Sequence, residues 1–86
     1  MSGRRVEISR AAERRLHKLP QADQARVARA MLALANDPYP RGARKLSGYD
    51  DVFRVRVAQY RILYSVSENE LIIVVLKVGH RRDVYR

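Results

Sequence analysis

The spacing of apolar residues changes twice along this chain, and each change marks a change of structure. Arg4 to Ile8 (RRVEI) alternates weakly and predicts a short edge strand. Ser9 follows as a helix N-cap, because its hydroxyl accepts from a free amide of the first turn. Ala12, Leu16 and Leu19 then recur at helical spacing across Ala11 to Leu19, and Pro20 ends that helix or opens the next. From Gln21 to Asn36, Val27, Ala28, Met31, Leu34 and Ala35 form one apolar stripe. The two segments predict a helical hairpin with Arg10, Arg14, Arg15, Arg26 and Arg29 mainly on its solvent side.

Asp37 to Gly42 (DPYPRG) holds two prolines and a glycine, which exclude regular structure there. Arg44 to Leu46 leads into a turn, Ser47 to Asp51. Beyond it the period falls to two. Val52 to Val57 (VFRVRV) sets Phe53, Val55 and Val57 on one face and Arg54 and Arg56 on the other. Ala58-Gln59 makes a tight connection to Tyr60 to Val66, where Tyr60, Ile62, Tyr64 and Val66 share a face. Glu70 to Val78 is apolar on both faces, as expected of an inner strand with something packed on each side. Strands joined by hairpins are antiparallel. The expected fold class is α+β, in the order β-α-α-β-β-β: a helical hairpin packed on a small, mainly antiparallel sheet, with residues 1–86 as one domain.

Composition narrows the function. The chain has 86 residues and no cysteine, so no disulfide or thiolate site braces it. Its acids are scattered, and His17 and His80 do not complete a ligand set, so neither metal nor other cofactor is expected. No apolar stretch approaches the roughly 20 residues that span a bilayer. The opening MSGRRVEISR lacks a signal-type apolar region, which gives a cytoplasmic expectation with no membrane partner. The net charge of +9, carried mostly by arginine, favours a polyanionic partner. Arginine's planar fork suits phosphate better than lysine's point charge does.

The candidate site follows from the strand period. Arg54 and Arg56 point the same way, and hairpin pairing brings Arg61 to their face beside Leu63. The last ten residues, KVGHRRDVYR, run from the best core strand into a basic tail with Arg81, Arg82 and Tyr85, and Gly79 lets that tail bend back over the sheet. Arg44, Lys45, Lys77, His80 and Arg82 are candidate polyanion-binding residues around this centre.

Lys45-Leu46-Ser47-Gly48, Phe53 to Val57, Tyr60-Arg61-Ile62-Leu63-Tyr64 and Val78 to Tyr85, in this order, resemble the RelE family of bacterial toxins within the RelE/ParE superfamily. The resemblance covers almost the whole chain. It implies a RelE-like fold and a ribosome-dependent endoribonuclease that enters the ribosomal A site and cuts the exposed mRNA codon. It also implies neutralisation by a cognate RelB-like antitoxin, which the charge of this chain suggests is acidic and folds on binding. On the family's pattern Arg54 and Arg56 occupy positions of basic catalytic residues, commonly lysines, while Arg61, Arg81 and Tyr85 match its arginines and terminal tyrosine. Arginine keeps the charge but not the accessible deprotonation of lysine.

Such a site needs no metal, because RNA supplies its own nucleophile, the ribose 2′-hydroxyl. Arg61 and Arg81 are expected to stabilise the charged phosphorane, with Arg54 and Arg56 on flanking phosphates. Among groups titrating near neutrality only His80 is at hand, and Tyr85 is the candidate base, or the group that stacks on a nucleobase and orients the 2′-hydroxyl. Two other functions share the charge. A ParE-like inhibitor of DNA gyrase would have the same fold without nuclease activity. A non-catalytic nucleic-acid-binding module would bind with steep salt dependence and cut nothing.

Overall fold

The computed structural model describes residues 3–80. The expectations for Arg81, Arg82 and Tyr85 lie outside the described residues. The elements are β1 (Arg5–Ile8), α1 (Arg10–His17), α2 (Gln21–Ala33), β2 (Arg44–Lys45), β3 (Val52–Val57), β4 (Tyr60–Ser67) and β5 (Ile72–His80). They build one sheet in the order β1-β5-β4-β3-β2. β1 runs parallel to β5 and every other pair is antiparallel. The α+β expectation therefore holds, with a fifth strand added to the expected four.

Both helices lie on one face of the sheet. Ala12 and Leu16 of α1, Val27 and Met31 of α2 and Leu34 just beyond it meet Val55, Ile62, Tyr64, Val66, Ile73, Val75 and Val78 in a continuous core. Burying each of the larger side chains contributes on the order of 1.5–3 kcal/mol. Ser9 fixes how α1 meets the sheet. Its hydroxyl accepts from the Ala12 amide at 3.1 Å, capping the helix, and donates to the Leu76 carbonyl at 2.9 Å. The arginines of both helices stay exposed, as their positions opposite the stripe require.

Three expectations need correction. Arg44 and Lys45 are not merely the approach to a turn. They pair with Arg54 and Phe53 as β2, closed by the Leu46 amide on the Val52 carbonyl at 2.8 Å. α2 stops at Ala33 rather than Asn36, because the amides of Leu34, Ala35 and Asn36 bond three residues back and tighten the last turn. The final strand is not packed on both faces. Its register slips where Leu63 opposes Lys77 and Tyr64 opposes Val75, so Leu76 is an extra residue turned outward. Glu70 and Leu71 belong to the preceding turn, with Leu71 at φ 57.

The breaker segment 37–43 is irregular but well anchored. Tyr64 is completely buried, and its hydroxyl donates to the Pro38 carbonyl at 2.7 Å. The Phe53 ring stacks on Tyr64 at 5.9 Å, and Tyr39 meets Phe53 edge-on at 5.1 Å. Tyr39 also donates to Glu68 at 2.7 Å, and Arg4 holds the other carboxylate oxygen at 2.8 Å. Those bonds from Arg4 and Tyr39 hold the Glu68 carboxyl below its ordinary value. Gly42, at φ 91, then turns the chain into β2.

Burial pushes the Tyr64 phenol up to about 12, with the charge of Asp37 adding to the shift. A raised folded pKa contributes stability that is complete below the unfolded value near 10 and is lost as pH rises towards 12. Tyr64→Phe is expected to cost about 1–3 kcal/mol at neutral pH by stranding the Pro38 carbonyl. It should also lack this alkaline loss. Thermal melts from pH 8 to pH 12 should show the two proteins converging above about pH 10; parallel curves would remove Tyr64 from this role.

Candidate functional site

The face of the sheet away from the helices carries the arginines. Cross-strand partners in an antiparallel pair project to the same side. Arg56 stands directly opposite Arg61 on β4, and Arg54 stands opposite Arg44 on β2. Three adjacent strands thus set two arginine pairs side by side. Their neighbours along β3, Phe53, Val55 and Val57, face the helices and lock the strand's orientation by burial.

Two clefts open between these side chains. One, of about 250 Å³, is lined by Gly42, Arg44, Arg54, Val55, Arg56 and Arg61. The second, of about 400 Å³, is lined by Lys45, Leu46, Ser47, Arg54 and Arg61. Arg54 and Arg61 line both and form their common wall. They are half-buried, whereas Arg44, Lys45 and Arg56 are exposed. No carboxylate is among the described residues lining either cleft.

Like charges placed directly across a strand pair are destabilising by roughly 0.2–1 kcal/mol. A sheet whose outer face was only a solvated surface would place acids opposite these arginines. Two such pairs side by side concentrate positive charge on this face. Phosphate suits that concentration, because guanidinium donors bind its oxygens by charge-assisted, often bidentate hydrogen bonds.

The expected site residues divide into three sets. Arg44, Arg54, Arg56 and Arg61 come together on the outer face, and Lys45, opposite the helix-facing Phe53, borders the second cleft at the sheet edge. Arg81, Arg82 and Tyr85 lie outside the described residues. Lys77 and His80 stand apart from the clefts. Lys77 opposes Leu63, the partner of Arg54, so its register position is on the outer face, and it lines a separate groove of about 230 Å³ with Arg14 and Arg15 of α1 and Lys18 just past its end. His80 pairs with Tyr60 on the helix-bearing face. Its ring meets that of Tyr60 edge-on at 6.2 Å and reaches the Gln59 amide oxygen at 3.4 Å. The Tyr60 hydroxyl in turn donates to Asp23 of α2 at 2.8 Å, which raises the phenol's pKa. Sequence reasoning missed Gly42, Leu46 and Ser47 as parts of the clefts. Their signal was turn chemistry, which marks a bend without saying what it borders.

Among the described residues no group of three acids, histidines or cysteines is placed to hold a metal ion, and no helix is long and apolar enough to cross a membrane.

The chain is similar to proteins of known kind over nearly its whole length. A family profile described as "ParE toxin of type II toxin-antitoxin system" matches residues 6–85. Toxin RelG of Mycobacterium tuberculosis is 36% identical over 85 residues, covering 94% of each chain. The archaeal RelE–RelB complex from Pyrococcus horikoshii superposes with TM-score 0.83 at 31% identity, covering 95% of this chain and 99% of that one. The toxin–antitoxin complex RelBE2 from Mycobacterium tuberculosis gives TM-score 0.80 at 31% identity, covering 92% and 99%.

The arginine pairs make a prediction independent of any reaction. Arg56→Ala should leave the melting temperature unchanged or raise it, by relieving repulsion with Arg61. Binding to a single-stranded oligonucleotide should weaken, with the slope of log K against log salt reduced by about 0.7. A fall in stability with an unchanged slope would make Arg56 a structural residue.

Proposed function

Because the chain belongs to the RelE family of type II toxin–antitoxin toxins, within the RelE/ParE superfamily, we propose that it is a ribosome-dependent mRNA endoribonuclease. In this reading it enters the ribosomal A site, cuts the codon there and halts translation in the cytoplasm. The observation that carries the reading is the pair of arginine clefts that share Arg54 and Arg61 as a common wall.

The chemistry uses the substrate's own 2′-hydroxyl. Its oxygen bonds to phosphorus, the bond to the 5′-oxygen breaks, and the proton lost from the 2′-oxygen is balanced by one gained at the leaving oxygen. Arg61 and the tail residue Arg81 stabilise the charge that develops on the phosphorane. Arg54 and Arg56 hold flanking phosphates, and Arg44 and Lys45 extend the same track. Proton transfer is the sparse part of the site. His80 stands on the other face of the sheet, beside Tyr60. We therefore assign the base to Tyr85, with Arg81, Arg82 and Arg86 close to it in sequence, since nearby positive charge favours a phenol's anion. A site with so few proton-transfer groups depends on a substrate held in position, which a ribosome-bound codon provides.

The partner reading follows the same charge. Two solved relatives are toxin–antitoxin complexes, with RelB in the archaeal case and as RelBE2 in Mycobacterium tuberculosis. We assign this chain a cognate RelB-like antitoxin with an acidic segment that folds against the basic face. Inhibition of DNA gyrase is the second reading, favoured by the ParE description of the matching profile. The paired arginines argue for RNA, since an inhibitory protein contact has no use for a phosphate-directed cleft. Induced expression separates the two, by whether translation or DNA supercoiling fails first.

On programmed ribosomes, Arg61→Ala is expected to slow single-turnover cleavage by about 100- to 1,000-fold, as for loss of one transition-state donor. Adding Arg81→Ala should leave little cutting. Parental rates in the double variant would sink the catalytic assignment. Tyr85→Phe and Tyr85→Ala should both fall well below the parental rate, and wild-type-like rates for both would clear Tyr85 of any role.

A further inference from the structure

Three of the four tyrosines among the described residues have evident structural work. Tyr39 donates to Glu68 and packs on Phe53, Tyr60 donates to Asp23 and meets His80, and Tyr64 donates to Pro38 and stacks on Phe53. The side chain of Tyr49 has no hydrogen bond or ring contact among the described residues, and the residue is 57% exposed. An aromatic left in water with nothing to hold contributes little to folding.

Its backbone, by contrast, is fixed. The Tyr49 amide bonds to the Leu46 carbonyl at 3.2 Å, inside the β2–β3 hairpin that the Leu46 amide closes on Val52. Gly48, at φ 88, makes the bend that precedes it. Lys45, Leu46 and Ser47, the first half of this turn, wall the second arginine cleft opposite Arg54 and Arg61. The hairpin therefore carries an exposed ring two residues beyond Ser47, which lines a cleft suited to phosphate. Single-stranded RNA needs both groups: cations for the backbone and an aromatic face for an unstacked base.

Building on the RNA reading above, we propose that Tyr49 is the stacking platform for one nucleobase of the codon whose phosphates lie in the Arg54–Arg61 cleft. It is a substrate-positioning residue and takes no part in proton transfer. Its place on a short hairpin fixed at both ends sets which base it meets, and so gives the site a base preference that arginine–phosphate contacts lack.

The test uses purified full-length protein and ribosomes programmed with an mRNA carrying an abasic nucleotide at each A-site codon position in turn. At one position, loss of the base should slow wild-type cleavage by about 5- to 150-fold, the range expected for one stacked base. Tyr49→Ala should be slow on the intact codon by a similar factor and no slower on the abasic one. Tyr49→Phe and Tyr49→Trp, which keep an aromatic face, should stay within about threefold of wild type on the intact codon. Wild-type cutting by Tyr49→Ala, or equal slowing of that variant on intact and abasic codons relative to wild type, overturns the stacking role and leaves the nuclease reading standing. Failure of the wild-type protein to cut any programmed codon overturns the nuclease reading, and the stacking role with it.

Discussion

The hydrogen bond from the buried Tyr64 hydroxyl to the Pro38 carbonyl is the constraint through which the core reaches the functional face. Tyr64 lies on β4, at the middle of the sheet, where Ile62 and Val66 hold its strand against the helices. Pro38 lies in a segment with no regular structure of its own. Tying the two together, with Phe53 and Tyr39 stacked alongside, fixes a stretch of backbone that proline and glycine would otherwise leave undirected. That stretch delivers Gly42 and Arg44 to the edge of β3. An aromatic column on the helix side thus determines where a cation stands on the other side.

Position matters because the site works by concentrating like charge. Arg44 faces Arg54 and Arg56 faces Arg61 across neighbouring strands. Flexible arginines would swing apart and the cleft would spread. Held on strands whose alternate residues are buried, the bases of these side chains stay close together. The stability lost is small beside the core's contribution. In the proposed nuclease, the gain is a preformed field for charge that grows during phosphoryl transfer, with no reorganisation at the moment of reaction. The fold thus divides labour between its faces: apolar packing above, and a concentration of arginines below.

Much of this was legible from period alone. VFRVRV declares two faces, and a tight turn into YRILYSV brings Arg61 onto the face of Arg54 and Arg56. β2 was not legible because two residues carry no period, and its existence depends on Pro38, Gly42 and the hairpin turn together. The facing of Lys77 and His80 was obscured by the bulge at Leu76. One extra residue reverses the alternation, so Val78 points inward where simple counting from Val75 turns it out. The bulge is invisible in an apolar run such as LIIVVL, where every phase of the alternation looks equally buried. The cap at Ser9 was legible as a cap, but its second bond, to the Leu76 carbonyl, is a tertiary fact that depends on that same bulge.

The central claim is that the arginine face acts on a ribosome-held phosphodiester through the neighbouring 2′-hydroxyl. The most direct measurement compares programmed ribosomes carrying an all-ribose A-site codon with ribosomes carrying single 2′-deoxy substitutions across it. The account predicts a cut within the all-ribose codon that leaves a 2′,3′-cyclic phosphate, and no cut when the deoxy sugar is 5′ to the scissile bond. Cleavage indifferent to every deoxy substitution, or an uncut codon with active protein present, would contradict it.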